Sequence, residues 1–204
     1  MIPYRTPTER ATASERVGAH LRAGRVLAYP TETVYGLGGR LEPTALERLV
    51  QLKGDRPFLL LVRGPEDVPG LEWTPAAIRL AERFWPGPLT LALTDPAARY
   101  PARVRGPDGA VAVRRSPHPA VAALLDAAAG PITSTSANRP GREPARDARG
   151  AAREAAAVPE LLVLDGGRLP TGPPSTIVRC ADRVTVIREG AVSRAEIEAV
   201  VELA

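Results

Sequence analysis

Short apolar runs alternate with helix-length amphipathic segments over the first two-thirds of the chain, and strand-like runs then cluster towards its end. Runs of about five apolar residues suit buried strands, and the intervening stretches carry helical periodicity. That order requires an α/β fold: a twisted mixed sheet with flanking helices, not a purely parallel sheet. Strands are expected at residues 25–29, closed by Pro30, and at 58–62, 89–93, 110–114, 131–135, 161–164, 176–179 and 184–188. Helices are expected at 14–22 (capped by Thr12 or Ser14 and stopped near Gly24), 43–53, 76–84, 119–129 and 147–157. A closing helix begins at a capping box formed by Ser193 and Glu196. Residues 31–39 read as a loop, and the last two strands as a unit at a sheet edge or beside a cleft. With no internal repeat and no long linker, residues 1–204 are expected to form one domain.

Composition excludes several chemistries. Cys180 is the only cysteine, so neither an internal disulfide nor a cysteine-cluster metal site can form, and His20 and His118 are the only histidines. No apolar run approaches the roughly 20 residues of a membrane span, and the polar N-terminus lacks a signal-peptide core, so a cytoplasmic protein is expected. The net charge of +4 suits anionic ligands such as ATP or RNA, although an arginine-rich composition alone produces the same balance. Of 27 basic residues, Lys53 is the only lysine, which leaves 26 arginines. An ammonium is a compact charge with three rotatable donors and does not substitute for a planar guanidinium at a phosphate site.

Five segments place polar residues beyond strand ends, where open α/β sheets put their ligands. Residues 29–39 offer the hydroxyls of Thr31 and Thr33 with three glycines, yet no Walker-type loop exists. In residues 53–57, Lys53 and Arg56 suit a polyphosphate or a carboxylate, and equally the C-terminus of a helix. Trp85 and its prolines make a stiff structural turn into a strand. Arg114 ends a strand where it could hold a carboxylate or phosphate, while His118 is better suited to capping or packing than to base catalysis. In residues 131–138, four consecutive hydroxyls followed by Ala137 and Asn138 suit a polar ligand or strand-end turn chemistry.

Pro30-Thr-Glu-Thr-Val-Tyr-Gly36, Trp85-Pro-Gly-Pro-Leu-Thr90, Val113-Arg114 with Pro117-His-Pro119, Ser134-Thr-Ser-Ala-Asn138 and Pro174-Ser-Thr-Ile177 together resemble the YrdC-like L-threonylcarbamoyladenylate synthases, short form. Order and spacing agree over residues 14–190. The resemblance implies a YrdC-like twisted sheet around a basic concave cleft that binds ATP and threonine side by side. It implies Thr31, Arg114 and Ser175 at threonine, with Arg114 on its carboxylate. It implies Lys53, Arg56, Ser134, Ser136, Asn138 and Arg188 at ATP. Among these, Lys53, Arg56, Ser136 and Asn138 are the expected catalytic set. Magnesium is expected on the phosphates near Ser136 and Asn138, without a protein metal site of its own. The implied substrates are ATP, L-threonine and bicarbonate or CO2, and the product passes to a threonylcarbamoyl-transferase complex that modifies adenosine 37 of tRNA.

One departure stands out. Asp55 occupies the place where the family has the arginine of its Lys-x-Arg element, Arg56 follows one residue later, and the next strand starts early, as after a deletion of two or three residues. Arg56 is expected to take over the missing role or to replace a later basic residue. The alternative function is a non-catalytic module that binds double-stranded RNA or tRNA in the same cleft; the 4% aromatic content counts against single-strand recognition. A carbamoyl phosphate enzyme of hydrogenase maturation is a further rival, but one cysteine cannot build the zinc fingers such proteins carry.

Overall fold

Within its central strands the chain alternates bulky apolar side chains with small or polar ones, and this alternation sorts the molecule into two unlike faces. In the computed structural model, which describes residues 1–204, ten strands form a continuous mixed sheet. They are β1 (Ile2–Pro3), β2 (Leu27–Tyr29), β3 (Gly36–Gly38), β4 (Leu59–Leu61), β5 (Leu89–Thr94), β6 (Ala110–Arg114), β7 (Ile132–Ser136), β8 (Leu162–Asp165), β9 (Thr176–Cys180) and β10 (Val184–Arg188). Their order across the sheet is β1-β8-β2-β3-β7-β4-β6-β5-β9-β10. The pairs β1–β8, β2–β8, β4–β6 and β5–β9 run parallel and the rest antiparallel. The expected mixed sheet is present, and β9–β10 forms its edge while also flanking the cleft described below.

Six helices flank the sheet: α1 (Pro7–Arg22), α2 (Pro43–Lys53), α3 (Pro75–Phe84), α4 (Pro119–Ala128), α5 (Ala148–Glu154) and α6 (Arg194–Glu198). Helix α1 starts well before the expected residue 14. Thr6 accepts from Glu9 N at 3.2 Å while Glu9 Oε2 accepts from Thr6 N at 2.9 Å, and Pro7 occupies the first turn, so a capping box fixes the start there. The box at Ser193 and Glu196 opens α6 as expected. Asp147 caps α5, accepting from Gly150 N at 2.7 Å, and the helix ends at Glu154, short of the expected residue 157.

Two strands lie outside the expected set. Two-residue β1 pairs with β8, and β3 occupies the middle of the expected 31–39 loop. Glycine lowers strand propensity, which hides β3 in the sequence. Its reason is steric: a Cβ on Gly38 would lie 1.7 Å from the Thr133 carbonyl oxygen, so only glycine lets β3 approach β7 this closely.

Leu60, Val62, Leu89, Leu91, Leu93, Val111, Val113 and Val178 point to one side of the sheet and join the larger apolar cluster with residues of α2, α3, α5 and α6. Leu27, Tyr29, Leu61, Ile132, Leu162 and Leu164 point to the other side, beneath the packed pair α1–α4. That helix pair covers only part of its face. The uncovered part carries Leu59, Ala92, Ala112, Arg114, Ser134 and Ile177, the alternate residues of β4, β5, β6, β7 and β9, and it becomes the floor of a cleft. Alanine at positions 92 and 112 leaves space where the opposite face is filled by leucine and valine.

Candidate active site

The cleft has a volume of about 420 Å³ and is lined by Thr31, Lys53, Arg56, Arg114, Ser134, Ser136, Asn138, Ser175 and Arg188 among others. Every site residue expected from the sequence therefore faces one cavity, although they come from six separate stretches of chain. Strand ends deliver most of them. Arg114 is the last residue of β6, Ser136 of β7 and Arg188 of β10, and Ser175 immediately precedes β9.

Lys53 closes α2 and is almost fully buried, at 4% exposure. Its Nζ donates to Ser136 O at 3.0 Å, Asn138 O at 2.7 Å and Asn138 Oδ1 at 2.8 Å. All three partners accept, so the geometry suits an ammonium with its three donors, and an arginine fork could not converge on three oxygens around one point. Burial, followed by the charge of Arg56, lowers its pKa to about 8. Ser136 Oγ donates to Asn138 Oδ1 at 2.5 Å, and Asn138 Nδ2 donates to the carbonyls of Arg139 at 3.1 Å and Arg142 at 2.6 Å. Lys53 thus staples the turn after β7, and Asn138 carries that order into the following loop.

The shortened segment after α2 turns at Gly54, whose φ of 76° lies in the left-handed region that glycine tolerates. Asp55 pairs outward with Arg103, and Arg56 faces the cavity. The early turn therefore directs Arg56 to the cleft and uses Asp55 to tie the loop to the neighbouring segment.

Arg114 is 5% exposed. Its Nη2 lies 3.4 Å from Glu32 Oε1 without closing a hydrogen bond, and both Arg114 Nε and Glu32 Oε1 are buried and unpartnered. Glu32 Oε2 accepts from Ser116 Oγ at 2.5 Å. Arg188 Nη2 donates to Ser175 O at 2.7 Å, and Ser175 Oγ shares a 2.9 Å hydrogen bond with Thr90 Oγ1. Arg188 is exposed, but partial desolvation at the cleft wall, and then repulsion from Arg114, lower its pKa. Thr31 lines the cleft, but its hydroxyl is spent locally: it donates to Val34 O at 2.7 Å and accepts from the amides of Thr33 and Val34 at 3.2 and 3.3 Å. It shapes the loop after β2 before it can hold anything else.

His118 caps α4, with Nδ1 accepting from Ala120 N at 3.2 Å, and burial lowers its pKa. Trp85 Nε1 donates to Leu89 O at 2.7 Å and its ring meets Trp73 edge-on at 5.8 Å, which makes it structural, as expected. Sequence reasoning missed Glu32, whose arginine partner is remote in sequence. It also missed the apolar wall of Ala92, Ala112, Ile177 and Ile187, for which strand alternation was the available signal. No group of three histidine, cysteine, aspartate or glutamate side chains is placed to hold a metal, and no helix is long and apolar enough to cross a membrane.

Residues 19–190 match the Sua5, YciO and YrdC family model, described as telomere recombination. A threonylcarbamoyl-AMP synthase of Bacillus subtilis is 35% identical over 91% of this chain. The chain spans 56% of the length of that relative. A threonylcarbamoyl-AMP synthase of Alkalilimnicola ehrlichii is 41% identical over 83% of this chain and 92% of its own length. The crystal structure of Pyrococcus abyssi Sua5 complexed with L-threonine superposes with a TM-score of 0.86 at 32% identity, covering 98% of this chain and 60% of that one.

Proposed function

The chain belongs to the Sua5, YciO and YrdC family, and from that premise we propose that it makes L-threonylcarbamoyladenylate and pyrophosphate from L-threonine, bicarbonate or CO2, and ATP. The observation that carries the proposal is the convergence of Lys53, Arg56, Ser136 and Asn138 with Arg114, Ser175 and Arg188 on one cavity. The threonine-bound relative supports the amino acid as substrate. In this reading Arg114, which lines the cleft, takes the threonine carboxylate through its guanidinium, while Ser175 and the Thr31 loop shape the surrounding wall.

The chemistry needs no nucleophilic side chain. The threonine nitrogen bonds to the carbon of CO2 and releases a proton, or bonds to the carbon of bicarbonate, whose hydroxyl leaves with an amine proton as water; either route gives the carbamate. A carbamate oxygen then bonds to the α-phosphorus of ATP as the bond to the bridging oxygen breaks, and pyrophosphate leaves. Alignment and charge neutralisation supply the acceleration. Arg56 and Arg188 would neutralise phosphate oxygens, and Ser134 and Ser136 would donate to them. Lys53 holds the Ser136–Asn138 turn in register for that purpose.

Asn138 Oδ1 already accepts from Lys53 Nζ and Ser136 Oγ, so of this pair only the Ser136 hydroxyl oxygen keeps lone pairs that could face a magnesium ion carried by the triphosphate. Magnesium would supply charge neutralisation at the phosphates, with Ser136 the nearest donor. Delivery of the adenylate to a transferase complex acting on tRNA belongs to the same proposal.

Pyrophosphate release by purified protein, with and without threonine and bicarbonate, tests it, with mass detection of the adenylate. Release that requires both co-substrates is the expected result. No release, together with salt-sensitive binding of double-stranded RNA or tRNA, would replace the synthase with a binding module.

A further inference from the structure

Glu32 does not line the cleft, yet its carboxylate is the only acidic group paired with Arg114. The pair is unfinished. At 3.4 Å the two groups attract without a hydrogen bond, leaving Glu32 Oε1 and Arg114 Nε each buried and unpartnered. Glu32 is held in this stand-off from behind, because Ser116 Oγ donates to its other oxygen at 2.5 Å and in turn accepts from His118 N at 3.2 Å.

The local charge balance gives this arrangement a consequence. Arg114 and Arg188 both line the cavity and bring two positive charges to it. Asp108, an acidic residue of the cavity wall, is held by Arg179 at 2.5 Å. In the absence of ATP, which would engage Arg188, Glu32 leaves a residual charge of one, which a single carboxylate cancels. Without Glu32 the same region would carry two positive charges, the buried Arg114 and the exposed Arg188, for which a dianion is the better match.

We infer that Glu32 is a specificity-determining residue that acts through Arg114, setting this part of the cavity to accept a monocarboxylate amino acid and to reject dianions. The inference rests on the proposed placement of the threonine carboxylate at Arg114. Glu32 has no contact with the reacting atoms in this role. It restrains the guanidinium and cancels half of the local positive charge.

The test is calorimetric titration of the intact chain and of Glu32→Gln with two probes, L-threonine and malonate, at pH 7.5. Glutamine keeps an oxygen for Ser116 and removes only the charge. Malonate affinity should rise about tenfold in Glu32→Gln, with threonine affinity changed by less than about threefold. The malonate gain should vanish when Arg114 is also replaced by alanine, which places the effect at that guanidinium. Ser116→Ala, which frees the Glu32 carboxylate without touching the loop after β2, should shift selectivity in the same direction by a smaller factor, and serves if Glu32→Gln does not fold. Unchanged malonate affinity, or equal factors for malonate and threonine, would overturn the inference. If the wild-type chain binds no threonine, the synthase reading fails, whereas the malonate comparison still reports on Glu32.

Discussion

Replacing Lys53 by alanine removes one ammonium and the three hydrogen bonds it donates to Ser136 O, Asn138 O and Asn138 Oδ1. Bonds to a charged group contribute about 1.5–3 kcal/mol each. The three share a single ammonium whose burial costs several kcal/mol, and water from the cavity can replace part of what the oxygens lose. The net loss is then about 2–3 kcal/mol, which for a chain of this length lowers Tm by about 4–12 °C. Folding survives, but the Ser136–Asn138 turn loses its anchor, and a displacement of about 1 Å at a positioning element costs on the order of a hundredfold in rate. Lys53→Arg separates charge from geometry, because it restores the cation without three convergent donors. Both variants should lose at least about 99% of threonine-dependent pyrophosphate release, while circular dichroism shows a folded protein with a lower Tm. A Lys53→Ala protein with wild-type Tm and near wild-type synthesis would refute the staple and its place in the reaction.

Because the Lys53 pKa is lowered to about 8, deprotonation above that pH leaves two N–H donors for three oxygens, and pyrophosphate release should decline as pH rises through about 8. A flat profile to pH 10 would contradict this. Arg114→Lys keeps the charge but loses the planar fork, and should raise the KM for threonine about tenfold or more with little change for ATP; initial rates with each substrate varied will show it. Arg56→Ala should raise the KM for ATP, whereas Asp55→Ala, which removes an exposed pair with Arg103, should change stability by less than about 1 kcal/mol in urea and leave that KM alone. The folded-state pKa of His118 lies below its ordinary 6.5, so in that window the unfolded chain binds a proton that the folded chain does not. Stability should therefore fall as pH drops below about 6.5, and His118→Asn, which caps without titrating, should lose less between pH 7 and pH 5 by urea denaturation.

Elements whose signals are local were legible in the sequence. Helix α2 runs from Pro43 to Lys53 as its proline and glycine punctuation indicates, and the Ser193–Glu196 box opens α6. The start of α1 was equally available in Thr6-Pro7-Thr8-Glu9 but lost to weaker caps farther on. Strand β3 was not legible, because its three residues form a strand only through contact with β2 and β7, and its Gly38 is explained by the Thr133 carbonyl opposite. The same division holds at the site. Lys53, Arg114 and Ser136 sit at element ends and declare themselves as polar residues after apolar runs. The inward use of the Thr31 hydroxyl and the pairing of Glu32 with Arg114 depend on loop conformation and on a remote partner.

A cleft is made of side chains that are too small to fill it, which is why composition reveals it so poorly. The segment Ala110-Val-Ala-Val-Arg114 nevertheless contains it in outline. Val111 and Val113 are fully buried in the larger apolar cluster, whereas Ala110, Ala112 and Arg114, on the opposite face, line the cavity. Strand β5 repeats the arrangement, with Leu91 and Leu93 in the cluster and Ala92 in the wall. One strand thus anchors the sheet through its odd residues and receives the ligand through its even ones. Because the pleat has a period of two, a one-residue slip would move valine into the cavity and Arg114 into the core. The burial that stabilises the sheet therefore also fixes the register that presents Arg114, so the binding geometry and the fold rest on the same pairings of β5, β6 and β4.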